Sequence, residues 1–285
     1  MTIFAIFDTY YRGMLFFPNA KINLGLGIIE KRPDGFHNIE TLFYPIPLCD
    51  ALEFIVADSN AESDRLTTSG LEVDGDPLSN IIHKALSIIR EERYVPYLNI
   101  HLHKNIPVGG GLGGGSSDAA FMLRYLNRYF RFGISNDQLR AMALRIGSDC
   151  PLFIENVPAI GTGRGEILTT TGFSLAGYWI LLGNPGIKIN TGKAYSRATP
   201  CNQSINLAEK LSADTALWQE TITNDFEAIL FPDHPAIESL RDTFINMGAF
   251  YSAMSGSGST VFGLFRERPS VPPALVEKLI YCGLL

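Results

Sequence analysis

The sequence predicts a globular chain of interspersed strands and helices, folded as one large domain or two of ordinary size. Three observations predict it. The chain has 285 residues, 46% of them apolar and 18% charged, enough to bury a substantial core. Segments with the two-residue period of a strand alternate along it with segments of helical period. Between one such strand and one such helix, the stretch from Gly109 to Gly115 is glycine at six of seven positions, too flexible to be the interior of either.

Taken in order, Met1 to Phe17 are apolar and aromatic, but they lack a basic start, Asp8 interrupts them and no small-residue cleavage site follows. They do not read as a signal sequence. Met14 is the expected natural start, with residues 1–13 an upstream extension. From Leu15 to Ile29 the chain reads as strand, Ile22, Leu24, Leu26 and Ile28 alternating with Asn23, Gly25 and Gly27, and Lys21 opens the run. Lys31-Arg32-Pro33-Asp34-Gly35-Phe36-His37 is a turn by its Pro-Asp-Gly, open to a ligand-facing role. Thr41 to Val56 is more strand, interrupted by Pro45 and Pro47, and Ala57 to Asp76 is polar with little core. Ser79-Asn80 cap a helix carrying Ile81, Ile82, Ala85, Ile88 and Ile89.

Leu98, Ile100 and Leu102 then alternate with Asn99, His101 and His103, a half-buried strand that Pro107 closes. The two histidines share a face, but nothing spaced near them completes a metal site. Beyond the glycines, Ala119, Leu123, Leu126 and Phe130 recur at helical spacing, with Ser116 or Ser117 placed to cap. Strand, side-chain-free loop and open helix N-terminus together make an anion site: amides converge, the helix dipole adds positive charge, and missing Cβ atoms admit phosphate oxygens. The loop is not a Walker A sequence, since no Gly-Lys-Ser/Thr follows. Gly109, Gly111 and Gly114 match the dinucleotide fingerprint, but helices rather than a second acidic-tipped strand come next.

Ser135-Asn136-Asp137-Gln138 is a capping box for a helix with Leu139, Met142, Ala143 and Ile146 on one face, stopped by Gly147. Asp149, between that helix and the apolar Leu152-Phe153-Ile154, is expected to be partly buried near a cation, for which Lys21 is one candidate. Gly161-Thr162-Gly163-Arg164-Gly165 reads as the passage from one half of the protein to the other. The second half reads as a strand from Tyr178 to Gly183 and a helical region around Ala208 to Trp218. A helix from Pro235 to Met247 follows, then a hairpin whose turn is Ser255-Gly256-Ser257-Gly258-Ser259.

A net charge of −6 without a basic stripe argues against nucleic acid, and no stretch is long enough to span a bilayer. Cys49, Cys150, Cys201 and Cys282 are scattered, which suits reduced thiols in the cytoplasm.

Three stretches in order, Ala20-Lys21-Ile22-Asn23-Leu24, Pro107 to Ala120 and Ser255-Gly256-Ser257-Gly258, resemble the GHMP superfamily of small-molecule kinases. Pro33-Asp34-Gly35-Phe36-His37, Gly147-Ser148-Asp149-Cys150-Pro151-Leu152-Phe153, Gly161 to Glu166 and Asn224-Asp225-Phe226 sharpen the resemblance, which runs from Lys21 to Phe262. It implies a two-domain α+β GHMP kinase fold, with a ribosomal-protein-like domain over 1–165, a ferredoxin-like domain over 166–285 and the active site in the cleft between them. It implies ATP as phosphoryl donor, Mg2+ as its companion with no ligands assigned, and a small-molecule acceptor, CDP-methylerythritol. Sister kinases of mevalonate, homoserine or a sugar, a nicotinamide-dependent dehydrogenase and a non-catalytic nucleotide sensor are the alternatives.

Within that pattern Lys21 and Asp149 match the catalytic pair. Pro107, Val108, Gly109, Gly110, Gly111, Leu112, Gly113, Gly114, Gly115, Ser116 and Ser117 match the ATP phosphate loop. Asn23, His37 and Lys104 match substrate contacts, and Phe36 with Tyr195 would sandwich a cytosine. Two positions depart from the pattern: Asn19 stands where proline is usual, and Phe36, lacking a hydroxyl, where tyrosine is usual.

Overall fold

Strand-forming alternation and capped amphipathic helices divide the chain into two compact units, seen in a computed structural model that describes residues 13–73 and 79–285. The expectation about residues 1–13 falls almost wholly outside the described residues. Among the described residues, the first unit comprises 13–19, 48–73, 79–107 and 114–155, the second 20–47, 108–113 and 156–285. The chain therefore passes between units five times, after Asn19, Pro47, Pro107, Gly113 and Glu155, rather than once after residue 165 as expected.

In the first unit, β1 (Gly13–Phe16), β4 (Ala51–Val56), β6 (Leu98–Lys104) and β5 (Arg65–Gly70) form one sheet in that order, with β5 parallel to β6. Along β6 the alternation is strict: Leu98, Ile100, Leu102 and Lys104 are buried while Asn99, His101 and His103 are exposed. Four helices, α1 (Ile81–Glu92), α2 (Gly114–Tyr129), α3 (Asn136–Ile146) and α4 (Leu152–Glu155), pack together, and α2 meets the buried face of the sheet. Phe16 stacks on Tyr125 with centroids 4.3 Å apart, and Phe54 meets Tyr129 edge-on at 5.3 Å. The strand β5 was not expected. Apart from the half-buried Leu66 its side chains are polar or absent and exposed, so it carries no apolar alternation and is held by its ladder to β6. On the exposed face, Ser69 Oγ lies 2.8 Å from His101 Nε2 and 2.9 Å from His103 Nδ1.

The second unit has two sheets. One runs β2 (Asn19–Lys31), β3 (His37–Cys49), β7 (Ala159–Thr162), β8 (Ile167–Thr170); the other runs β10 (Tyr251–Met254), β11 (Val261–Phe265), β9 (Trp179–Gly183), β12 (Leu279–Leu284). β3 continues through Pro45 and Pro47, which lie beyond the Thr41–Phe43 ladder with β7 and so remove no amide from it. The Gly161–Gly165 stretch is the end of β7 and its hairpin turn to β8, inside this unit and not a passage between halves. Short helices α5 (Thr191–Ser196), α6 (Leu207–Ser212), α7 (Trp218–Thr221) and α8 (Asp225–Leu230) precede α9 (Pro235–Asn246), which lies against β10 and β11. The core joins Leu26 and Ile28 of β2 to Phe226, Leu240, Phe244, Val261 and Phe265.

Candidate active site

In the second unit the glycine loop, β2 and the hairpin turn after β10 come together. Lys21 is 3% exposed, and its ammonium donates to Asn23 Oδ1 at 2.5 Å and to the Gly111 carbonyl at 3.0 Å. The ammonium also lies 5.3 Å from the centroid of Phe43. A buried ammonium is costly unless hydrogen-bonded, so these partners fix its direction. Asn23 is fixed in turn: its amide donates to Thr41 Oγ1 at 3.0 Å, and Thr41 donates to the Gly25 carbonyl at 2.6 Å. The loop joins this network through its backbone, since the Leu112 carbonyl accepts from Lys21 N at 2.9 Å and the Gly110 carbonyl from Thr260 N at 3.2 Å.

Glycine is required here by geometry. Gly109, Gly111 and Gly113 have φ of +72°, +78° and +70°, and a Cβ on Gly111 would stand 2.0 Å from the Ser255 carbonyl oxygen. A Cβ on Gly109, by contrast, would meet nothing within 4 Å, so that side of the loop is open.

The stems of the loop belong to the first unit. α2 begins at Gly114, so Ser116 and Ser117 lie inside its first turn instead of capping it. The register of β6 drives Lys104 inward, where it is 2% exposed; its ammonium bonds Asp50 and, at 2.8 Å, Asp118 Oδ2. Asp50 Oδ1 accepts from the amides of Asn105 at 2.6 Å and Ile106 at 2.9 Å. Burial pushes the Asp118 carboxyl up to about 8; the Lys104 ammonium opposes the shift and the Asp50 carboxylate adds to it. One ammonium balances one carboxylate, and the second keeps its proton. Lys104, expected to meet substrate, thus already has two carboxylate partners inside the protein.

Asp149 sits in the turn between α3 and α4, half-buried, where Cys150 N donates to the Gly147 carbonyl at 3.2 Å. Burial pushes the Cys150 thiol up to about 12 against an opposing hydrogen bond with Ser116, which ties this turn to the start of α2.

His37 and Tyr195 are brought together, their rings stacked 5.1 Å apart, with Tyr195 edge-on to Phe226 at 4.9 Å. Burial lowers the pKa of His37 and the nearby Lys31 charge adds to the effect, so the ring stays neutral at physiological pH. Phe36 is 52% exposed, and its ring faces the Arg164 guanidinium 4.8 Å away. His37 thus stacks on Tyr195, while Phe36, expected to share a cytosine with Tyr195, stays exposed beside Arg164. Arg164, Asp50, Asp118 and Thr41 were missed as members of these clusters. The inward register of Lys104 was the available signal for the two aspartates, because a buried ammonium demands a carboxylate.

Comparisons with known proteins identify the family. Residues 80–163 match the model of the GHMP kinases N terminal domain and residues 206–279 that of the GHMP kinases C terminal domain. The chain belongs to the GHMP kinases, with their two-domain mix of α and β structure. Within them it belongs to the 4-diphosphocytidyl-2-C-methyl-D-erythritol kinase family. A relative of that name in Parabacteroides distasonis is 48% identical over 90% of this chain and 93% of its own length. Another in Bacteroides fragilis is 45% identical over 90% of this chain and 94% of its own. A crystal structure titled 4-(cytidine 5'-diphospho)-2C-methyl-D-erythritol kinase superposes with a TM-score of 0.74 at 30% identity, covering 88% of this chain and 90% of that one. Among the described residues, no helix is long and apolar enough to cross a membrane.

Proposed function

We propose that the chain transfers the terminal phosphoryl group of ATP to the 2-hydroxyl of 4-diphosphocytidyl-2-C-methyl-D-erythritol, a cytoplasmic step on the non-mevalonate route to isoprenoid precursors. The observation that carries this reading is the buried Lys21 ammonium bonded to the Gly111 carbonyl, which ties a fixed positive charge to the glycine loop. The loop suits a triphosphate. Gly109 leaves its outer side bare, and α2 opens at Gly114 with amides that nothing earlier in a helix can use.

Phosphoryl transfer leaves the protein little covalent chemistry, so positioning and charge stabilisation dominate. Residues Pro107 to Ser117 would cradle the phosphates through backbone amides. Bound Mg2+ would neutralise phosphate charge. Among the described residues no cluster of three or more His, Cys, Asp or Glu side chains could hold a metal, so most of its ligands would come from the phosphates and water. Asp149 accepts a hydrogen bond from the acceptor hydroxyl, aims it in line and takes its proton as the new bond forms. Lys21 steadies the charge that develops in the transition state. Asn23 belongs to the acceptor side, the His37–Tyr195 stack offers a flat aromatic surface for the base, and the exposed Phe36 ring would supply the second.

The test is ADP release with a panel of acceptors. Turnover is expected with CDP-methylerythritol and not with mevalonate, homoserine or sugars. Asp149→Asn is expected to lower kcat by roughly 100-fold or more while ATP binding persists. Turnover with a different acceptor reassigns the substrate, and wild-type kcat in Asp149→Asn removes that residue from the mechanism.

A further inference from the structure

The Ser255 hydroxyl occupies a position that the reaction as described does not use. It is completely buried, donates to the Gly111 carbonyl at 2.9 Å and accepts from the backbone N of Asn23 at 3.2 Å. The Lys21 ammonium donates to both Gly111 and Asn23. One hydroxyl therefore fixes the backbone of both acceptors, although Ser255 and Lys21 are far apart in sequence. We propose that Ser255 is the positioning residue for Lys21, setting the direction in which its ammonium points; the inference rests on the kinase reading above.

The turn that carries the hydroxyl is itself held by its backbone. Ser255 N donates to the Thr260 carbonyl at 2.8 Å, and Asn224 Nδ2 donates to the carbonyls of Met254 at 2.7 Å and Gly256 at 2.8 Å. Glu227 Oε1 accepts from Met254 N at 2.7 Å. The first turn of α8, with its cap, thus grips the hairpin turn, and the turn grips the loop and β2. Contact is close: a Cβ on Gly256 would lie 3.1 Å from Asn23 Oδ1 and 3.5 Å from the Gly111 carbonyl oxygen, and one on Gly111 would overlap the Ser255 carbonyl. Because the hydroxyl bonds the backbone of both Gly111 and Asn23, removing it lets those acceptors shift, and the ammonium with them.

A double-mutant cycle on the full-length enzyme tests this, measuring kcat, KM for ATP and melting temperature. Ser255→Ala is expected to cut kcat about 10- to 100-fold with KM for ATP nearly unchanged, as a misplacement near 1 Å does. On a Lys21→Met background the same substitution is expected to cost less than about 3-fold, because no ammonium remains to be aimed. Ser255→Cys, which keeps a weak donor at the site, recovers part of kcat and serves if the alanine variant is insoluble. Equal losses on both backgrounds, or a loss confined to melting temperature, overturn the proposal. Wild-type kcat in Lys21→Met is a different failure: it removes the lysine from the kinase mechanism, and this inference with it.

Discussion

Asp118→Asn separates a buried proton from a buried charge. In the native protein the Asp118 carboxyl titrates near 8, raised by burial among Lys104 and Asp50, whereas in the unfolded chain it titrates near 4. The folded state thus holds a proton that the unfolded state releases, and stability falls as pH rises from about 4 towards 8. Each pH unit inside that window costs up to about 1.4 kcal/mol, so between pH 6 and pH 8 this group removes roughly 2 kcal/mol. At about 2–4 °C per kcal/mol, the melting temperature falls by roughly 4–8 °C.

Asparagine keeps an acceptor for Lys104, which stands 2.8 Å from Asp118 Oδ2, and has no proton to lose. The Asp50–Lys104 pair remains neutral and keeps its amide partners at Asn105 and Ile106. Thermal melts of wild type and Asp118→Asn near pH 6 and pH 8 are expected to converge at the lower pH and part at the higher, with the variant the more stable. Groups elsewhere titrate alike in both proteins and cancel. Parallel pH dependences would refute the reasoning, because they mean that Asp118 is ionised throughout.

Two further outcomes follow from contacts already described. Gly111→Ala, whose Cβ would stand 2.0 Å from backbone at a φ of +78°, should raise KM for ATP and lower the melting temperature much more than Gly109→Ala. The latter meets open space and bears only the left-handed strain of about 1 kcal/mol; equal effects would mean that the loop does not press on the Ser255 turn. Tyr195→Ala should raise KM for CDP-methylerythritol about 3- to 10-fold and leave KM for ATP alone, since it removes the ring stacked 5.1 Å from His37; matched changes in the two constants would move the base elsewhere.

What could be read in the chain was local. The glycine run lies between β6 and α2 because the periods on either side are unambiguous, and the caps follow from short-range chemistry. Asn80 accepts from Ile82 N at 3.0 Å, and Ser135 with Gln138 forms the reciprocal box. The register of β6 also implied an inward Lys104, whereas the strand character of β5 left no apolar trace. The unread part is made of single hydrogen bonds between distant residues. Lys21 reaches Gly111 across 90 positions and Ser255 reaches it across 144, and neither bond leaves a repeating pattern behind. The His37–Tyr195 stack went unread for a related reason: sequence marks His37 as polar, while in the fold it is 7% exposed and lies against an aromatic ring.

The weaving of the chain has a consequence on the ribosome. Once residue 155 has been made, every segment of the first unit exists and can close on itself, whereas the second owns only β2, β3 and the loop of residues 108–113. Leu26 and Ile28 must then wait for Phe226 and Phe244, which at the usual pace of translation is several seconds of nakedness. During that interval a nascent chain of this enzyme carries β2 and β3 paired with each other but with their apolar face uncovered, and that face is what a chaperone would have to shield.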